Sequence, residues 1–238
     1  MRAYTNEKLI ARRARLGKYA SWGGLAVLGV GMVLSFRANP TNTQNYQITL
    51  MGSFACLILG FILANVGSHN MRRFGRSPRP DERLAKELKG FDDRYVLYSF
   101  TLPASYVFVG PSGVYTFALR EQGGKVSNTG NRWSQKGGVM RFLAAFSGDG
   151  IGNPTADAIE DANKVQKFLD AHLPEASIEV QPLALFTNPN VDLQLSNPAI
   201  PVVQSKGLKA LLRQRSKDYR IDSATLAQIE AAVTEPAE

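Results

Sequence analysis

The chain has one cysteine and two histidines in 238 residues. The lone Cys56 excludes an intrachain disulfide, and with only His69 and His172 beside it there is no Cys/His set for a structural zinc. Cys56 sits in an apolar run and reads as a small packing residue. Two long stretches lack charge altogether. Residues 19–36 and 48–66 contain no Asp, Glu, Lys, Arg or His. Without an ionisable group in either run, a proton or ion pathway through them has no support. No internal repeat is present.

What the sequence has in excess is positive charge, +8 formally, and its position matters more than its size. Residues 1–18 carry six Lys/Arg against one acid, and Arg72, Arg73, Arg76 and Arg79 add four more. From residue 80 onward there are 17 bases and 19 acids. The basic excess therefore flanks the apolar runs and does not line a groove for nucleic acid, which is disfavoured as a partner.

Each apolar run is close to the ~20 residues that a spanning helix needs. The link between them, 37–47, is short and polar, with Asn39-Pro40 as a breaker. A basic stretch with Arg12-Arg13 precedes the first run, as in a signal peptide. However, no small-x-small cleavage site follows and a second run comes soon after, so an uncleaved helical hairpin is the reading taken. Bases crowd both outer ends and the link holds one. The positive-inside rule then puts both termini in the cytoplasm. The second run carries Gly52, Cys56, Gly60, Ala64 and Ser68 at steps of four, a stripe on which helices approach closely. Packing against Gly24, Gly31 and Ser35 of the first run is the plain use of that stripe. A homo-oligomer or another membrane subunit is the sharper one.

Gly75 to Pro80 reads as a linker. Beyond it the pattern predicts a helix over 81–88 ended by Lys89-Gly90, a strand over 95–100, and a hairpin with strands 106–109 and 114–119. The hairpin turns at Gly110-Pro111-Ser112-Gly113, where Pro presets φ and Gly suits the last position. Short strands follow near 123–126 and 132–133. Asn153-Pro154 opens a helix to about Leu173 with acids in its first turns. Strands over 177–187 and 200–203 precede helices over 205–215 and 223–233. This order implies an α/β domain with a mixed sheet.

Several of these pieces together resemble the NERD (nuclease-related) domain family of the PD-(D/E)xK nuclease-like superfamily. They are Leu88-Lys-Gly-Phe-Asp-Asp-Arg-Tyr-Val96, Tyr106-Val-Phe-Val-Gly-Pro-Ser-Gly-Val-Tyr115, Gly124-Lys-Val126, Asn153-Pro154 and Leu183-Ala-Leu-Phe-Thr-Asn188. The resemblance covers roughly residues 80–212. It implies a restriction-endonuclease-like mixed-sheet fold for this part, so that the whole chain reads as a transmembrane α-helical hairpin followed by a cytoplasmic domain of that fold. In active superfamily members an Asp on the first hairpin strand and a Glu-x-Lys on the second hold a divalent metal on one sheet face. The matching positions here are Ser105, Ala118 and Arg120. Alanine cannot ligate a metal, and serine replaces a carboxylate poorly. Glu121 is one residue off and points to the other face. A glutamine expected after the Asn-Pro helix start falls at Asp157. Glu82 matches a position where members often carry an acid, and its plain reading is a solvated first-turn carboxylate. Asp92 and Asp93 read as turn residues, as does Asp149 within Gly148–Gly152, which is neither a P-loop nor a dinucleotide signature.

These substitutions favour binding over catalysis and imply no metal and no cofactor. Lys206, Lys209, Arg213 and Arg215 form a local basic run suited to a solvated face or to anionic lipid. The expectation is a membrane-anchored, catalytically inactive NERD-like module in the inner (cytoplasmic) membrane of a prokaryote. Its segments are a basic stretch 1–18, the hairpin 19–71, a linker 72–80 and the domain 81–238. Its partners would be membrane lipid and other membrane subunits, or further copies of itself. Two alternatives remain. One is a tethered nuclease whose metal site is rebuilt from Glu82, Asp92, Asp93 or Glu121. The other is a membrane-surface sensory module.

Overall fold

A computed structural model describes residues 1–37, 43–137, 150–218 and 220–234. Asp149 and most of the glycine-rich segment before it lie outside these residues. The chain divides into a helical unit, Glu7–Arg79, and an α/β unit made of Met1–Asn6 with Pro80–Glu238. The helical unit is thus inserted near the start of the α/β chain, and the stretch 1–18 is not one piece.

The α/β unit is built on a six-stranded sheet in the order β1-β2-β3-β4-β7-β9. Its strands are β1 (Arg2–Thr5), β2 (Val96–Ser99), β3 (Tyr106–Gly110), β4 (Gly113–Arg120), β7 (Val180–Phe186) and β9 (Val202–Gln204). The centre, β2-β3-β4, is antiparallel, while β1, β7 and β9 add in parallel. A smaller sheet holds β5 (Gly124–Thr129) between β6 (Arg132–Gln135) and β8 (Val191–Ser196). Helices are α1 (Glu7–Arg37), α2 (Thr43–Phe74), α3 (Pro80–Glu87), α4 (Pro154–His172), α5 (Ser205–Asp218) and α6 (Ser223–Thr234).

The strands are apolar on both faces because helices cover both. Leu97, Phe108, Tyr115, Phe117, Leu183 and Leu185 point to one side and pack with Leu84 and Leu88 near α3 and with Leu208 and Leu212 of α5. Val96, Tyr98, Val107, Val109, Val114 and Val180 point to the other side. There they meet Ala162, Val165 and Leu169 of α4 and Ile229 of α6. Period-two alternation along each strand produces this division.

The β3-β4 turn follows the sequence closely. Gly110 pairs with Gly113, and Gly113 has φ of 125°, a conformation that side chains resist. Gly110 is required for another reason. A Cβ there would lie 2.5 Å from Tyr95 Cε1, so the Tyr95 ring occupies the space a side chain would need.

β1 is a strand that the sequence pattern does not announce. It runs parallel to β2, with Arg2 opposite Val96 and Thr5 opposite Ser99. Tyr4 stacks on Tyr98 with ring centroids 5.7 Å apart, and Arg2 pairs with Glu230 of α6. Burial, with Glu230 adding to it, pushes the Tyr98 hydroxyl up to about 12. Because the folded value is raised, this group favours the fold fully below its ordinary value near 10 and loses that contribution as pH rises through about 12. Alkaline unfolding followed between those values should therefore be delayed in Tyr98→Phe, as measured by circular dichroism.

The helical unit is an antiparallel pair. Gly17, Ala20, Gly24 and Gly31 of α1 are buried, and so are Ser53, Gly60, Gly67 and Asn70 of α2. These steps of seven, or three plus four, are the 3.5-residue period of left-handed helix pairing. The step-of-four stripe follows the contact only at its middle. It rotates about 40° per step relative to a straight helix. At one end Gly52 is half-buried, with Leu34 Cδ1 3.8 Å from the position of a Cβ. At the other end Ser68 is exposed and Gly67 takes its place, and on α1 Ser35 is also exposed. The two buried polar side chains bond within their own helix. Ser53 Oγ donates to the Leu50 carbonyl at 2.7 Å and Asn70 Nδ2 to the Val66 carbonyl at 2.8 Å, so among the described residues no buried side chain of the seam is left unsatisfied.

Candidate functional site

Of the positions that the resemblance marks as a metal site, Ala118 and Arg120 lie at the end of β4 farther from the turn, and Ser105 lies just before β3. Val107 pairs with Thr116. The paired register of β3 with β4 extends no further than this, so Ser105 has no partner on β4 within it. Ser105 itself precedes β3, and its carbonyl accepts the Phe100 amide at 2.9 Å. The fold thus places Ala118 and Arg120 on one face of β4, where packing and ion pairing occupy them.

Ala118 is 4% exposed and packs with Ala158 of α4, Ala184 of β7 and Ile200. Small residues on three elements let α4 lie close to the sheet here. Thr116 Oγ1 donates to the Ala158 carbonyl at 3.4 Å, one step along the same face. A carboxylate at 118 would enter this apolar contact.

Arg120 is held at each nitrogen. Its Nε donates to the Ile151 carbonyl at 2.8 Å and its Nη1 to the Leu119 carbonyl at 2.9 Å. Nη2 forms an ion pair with Asp157 on the first turns of α4. Arg120 is 14% exposed as a side chain and Asp157 54%. The guanidinium ties the end of β4 to the segment before α4 and to α4 itself. A planar fork with five donors suits such a task better than a lysine would. Nearby, Trp133 Nε1 donates to Thr155 Oγ1 at 2.8 Å, so β6 is fastened to the same helix start.

The start of α4 is set by Asn153, whose Oδ1 accepts the Ala156 amide at 3.1 Å, with Pro154 in the first turn. That cap orders the helix end carrying Asp157. Asn153→Ala is expected to lower stability by about 1 kcal/mol in chemical denaturation.

The other carboxylates are dispersed. Glu121 pairs with Arg83 of α3 at 2.9 Å, on the sheet face opposite to Asp157, as a one-residue offset requires. Glu82 is exposed on α3. Asp92 is engaged by Arg94, whose side-chain hydrogen bonds hold its carboxyl below the ordinary value. Asp93 accepts from the Met1 ammonium at 3.0 Å. Among the described residues no three His, Cys, Asp or Glu side chains gather as a metal would need.

The basic run on α5 is not one uniform face. Lys206 and Arg213 are exposed and Lys209 is half-buried. Arg213 lies over the Phe91 ring at 5.8 Å, while Arg215 turns to the sheet and donates to Gln181. Arg215 therefore belongs to the domain's packing, and Lys206, Lys209 and Arg213 keep the spacing of a shared face.

Sequence reasoning located Arg120 and Asp157 separately and missed their pairing. The available signal was a basic residue on the inward face of β4 and an acid in the first turn of the helix that follows. No family model, curated protein or solved structure matches the chain.

Proposed function

We propose that this protein is a membrane-anchored binding module with a NERD-like scaffold and no hydrolytic chemistry, acting as an accessory subunit of a larger membrane assembly. The observation that carries the non-hydrolytic part is the filled site. Ala118 is sealed by Ala158, Ala184 and Ile200, and Arg120 is committed to Asp157 and two carbonyls. A divalent ion needs oxygen ligands at about 2–2.6 Å, and this face offers it packed methyl groups and a fixed cation.

The anchoring part rests on α1 and α2, which are long and apolar enough to cross a membrane. Their outer surfaces expose Trp22, Leu25, Met32, Phe36, Met51, Phe54, Ile58, Phe61 and Ile62, far more apolar surface than a helical pair leaves open to water. In this reading both termini and the α/β unit face the cytoplasm of a prokaryotic cell, at the inner membrane. Lys206, Lys209 and Arg213 of α5 are then available to anionic lipid or to a partner. The tethered-nuclease alternative is disfavoured by the separate engagement of Glu121, Asp92 and Asp93.

Two measurements on the full chain test this. Alkaline extraction of membranes should leave the protein in the pellet. Native mass analysis in mild detergent should give a species heavier than one chain. Release into the alkaline supernatant contradicts the anchor, and a bare monomer contradicts the assembly.

A further inference from the structure

We propose that the basic end of the helical hairpin is a collar that binds the anionic phospholipid headgroups of one bilayer leaflet in preference to zwitterionic ones. This rests on the membrane reading above and adds the lipid class. Because α1 and α2 run antiparallel, the start of one lies beside the end of the other. A Cβ on Gly17 would lie 2.9 Å from the Asn70 Cβ and the Met71 amide nitrogen. The same end therefore collects Arg12, Arg13, Arg15 and Lys18 of α1 with Arg72 and Arg73 of α2 and Arg76 just beyond it. Arg12, Arg13, Arg15, Lys18 and Arg76 are exposed.

No Asp or Glu occurs from Lys8 through Pro80. The acid just before that stretch, Glu7, is bound to Arg79 at 2.9 Å. The opposite end carries Arg37, so the charge is strongly one-sided.

The collar is also at the right depth. Tyr19 and Trp22, 72% and 67% exposed, sit where the charged turns give way to the apolar ones. Aromatic side chains of this kind prefer the headgroup boundary. From Tyr19 to Phe36 the helix spans ~27 Å at 1.5 Å per residue, close to the ~30 Å of bilayer hydrocarbon. Residues 12–18 cover the next ~9 Å, the depth of the phosphate layer. Guanidinium groups at that depth match phosphate with paired donors. A nucleic-acid strand would present the same phosphates but would leave the adjoining apolar and aromatic surface uncovered.

The test uses the full chain in mild detergent with equal amounts of phosphatidylglycerol and phosphatidylcholine, and counts the lipids retained by native mass spectrometry. Retention of phosphatidylglycerol about tenfold over phosphatidylcholine is expected. It should fall toward parity in R12Q/R13Q/R15Q/K18Q and persist in R12K/R13K/R15K. Removing Lys206, Lys209 and Arg213 together should leave the preference in place. If the glutamine variant does not assemble, loss of the wild-type preference in 0.5 M salt, roughly the range where the screening length falls to a few Å, serves instead. Equal retention of both lipids by a chain that stays in the alkaline pellet overturns the collar and leaves the anchor standing. A chain that does not stay in the pellet overturns both. Displacement of the bound phosphatidylglycerol by a short DNA duplex would also overturn it, since it assigns the charge to nucleic acid.

Discussion

Ala118→Glu is expected to destabilise the α/β unit by about 3 kcal/mol or more, although glutamate is the residue that the resemblance to metal nucleases would put there. Two costs combine. Ala118 is 4% exposed against Ala158, Ala184 and Ile200, and adding side-chain bulk to such a contact typically costs 1–3 kcal/mol. The carboxylate must also be buried or protonated, at a further few kcal/mol. Arg120 stands two residues away on the same face but is already bound to Asp157, Ile151 and Leu119, so rescue would require breaking those contacts. At roughly 2–4 °C per kcal/mol for a unit of this size, the midpoint of thermal unfolding should drop by about 6–12 °C. Leu195→Glu is the control. Leu195 is 39% exposed on β8, and a change there should stay within about 0.5 kcal/mol. Equal stability of Ala118→Glu and the wild type would mean that the site is open, and the account of a filled site would fail.

Gly67→Val should separate the two helices of the hairpin. A Cβ on Gly67 would lie 2.7 Å from the Ser21 amide nitrogen and 2.9 Å from its Cα. These are backbone atoms, so no rotamer change relieves the clash, and α1 as a whole must move. Overpacking of this kind costs at least 1–3 kcal/mol, and the close contacts that small residues provide are what hold helices together in lipid. Cys56 supplies a reporter. It is half-buried, and the position of a Cβ on Gly31 is 2.8 Å from its own Cβ. A membrane-permeant maleimide should label it several-fold faster once the helices part. Gly23→Val and Gly29→Val provide the contrast, because a Cβ at either meets nothing within 4 Å. Their labelling rate should match that of the wild type. If all three variants label alike, the seam has been placed on the wrong face.

The elements most legible in the sequence are those whose signal is local. Pro111 and Gly113 fix the β3-β4 turn, and Asn153-Pro154 fixes the start of α4. The two apolar runs declare themselves by length. What the sequence hides is structure created by partners far along the chain. Arg2–Thr5 is too short to read as a strand, and it becomes one by pairing with Val96–Ser99. Val191, Leu193 and Leu195 do alternate with polar residues, yet β8 has meaning only beside β5. The small-residue stripe meets α1 at Cys56, Gly60 and Ala64 and leaves the contact at Ser68 for a geometric reason. Spacing by four matches the helix repeat over one or two turns, while a long paired helix follows 3.5. At the candidate site the identities at 105, 118 and 120 are plain in the sequence. The sealing of Ala118 and the clamp from Arg120 to Asp157 depend on how closely α4 approaches the sheet, which only the fold shows.

The central claim is that this face is closed to metal-assisted hydrolysis. Its most direct test is cleavage of labelled single- and double-stranded DNA by the full chain in lipid nanodiscs, with Mg²⁺ or Mn²⁺ supplied. The account predicts no cleavage above that of empty nanodiscs, at either ion and at any protein concentration. Metal-dependent cleavage that disappears in Arg120→Ala or Asp157→Ala would contradict it.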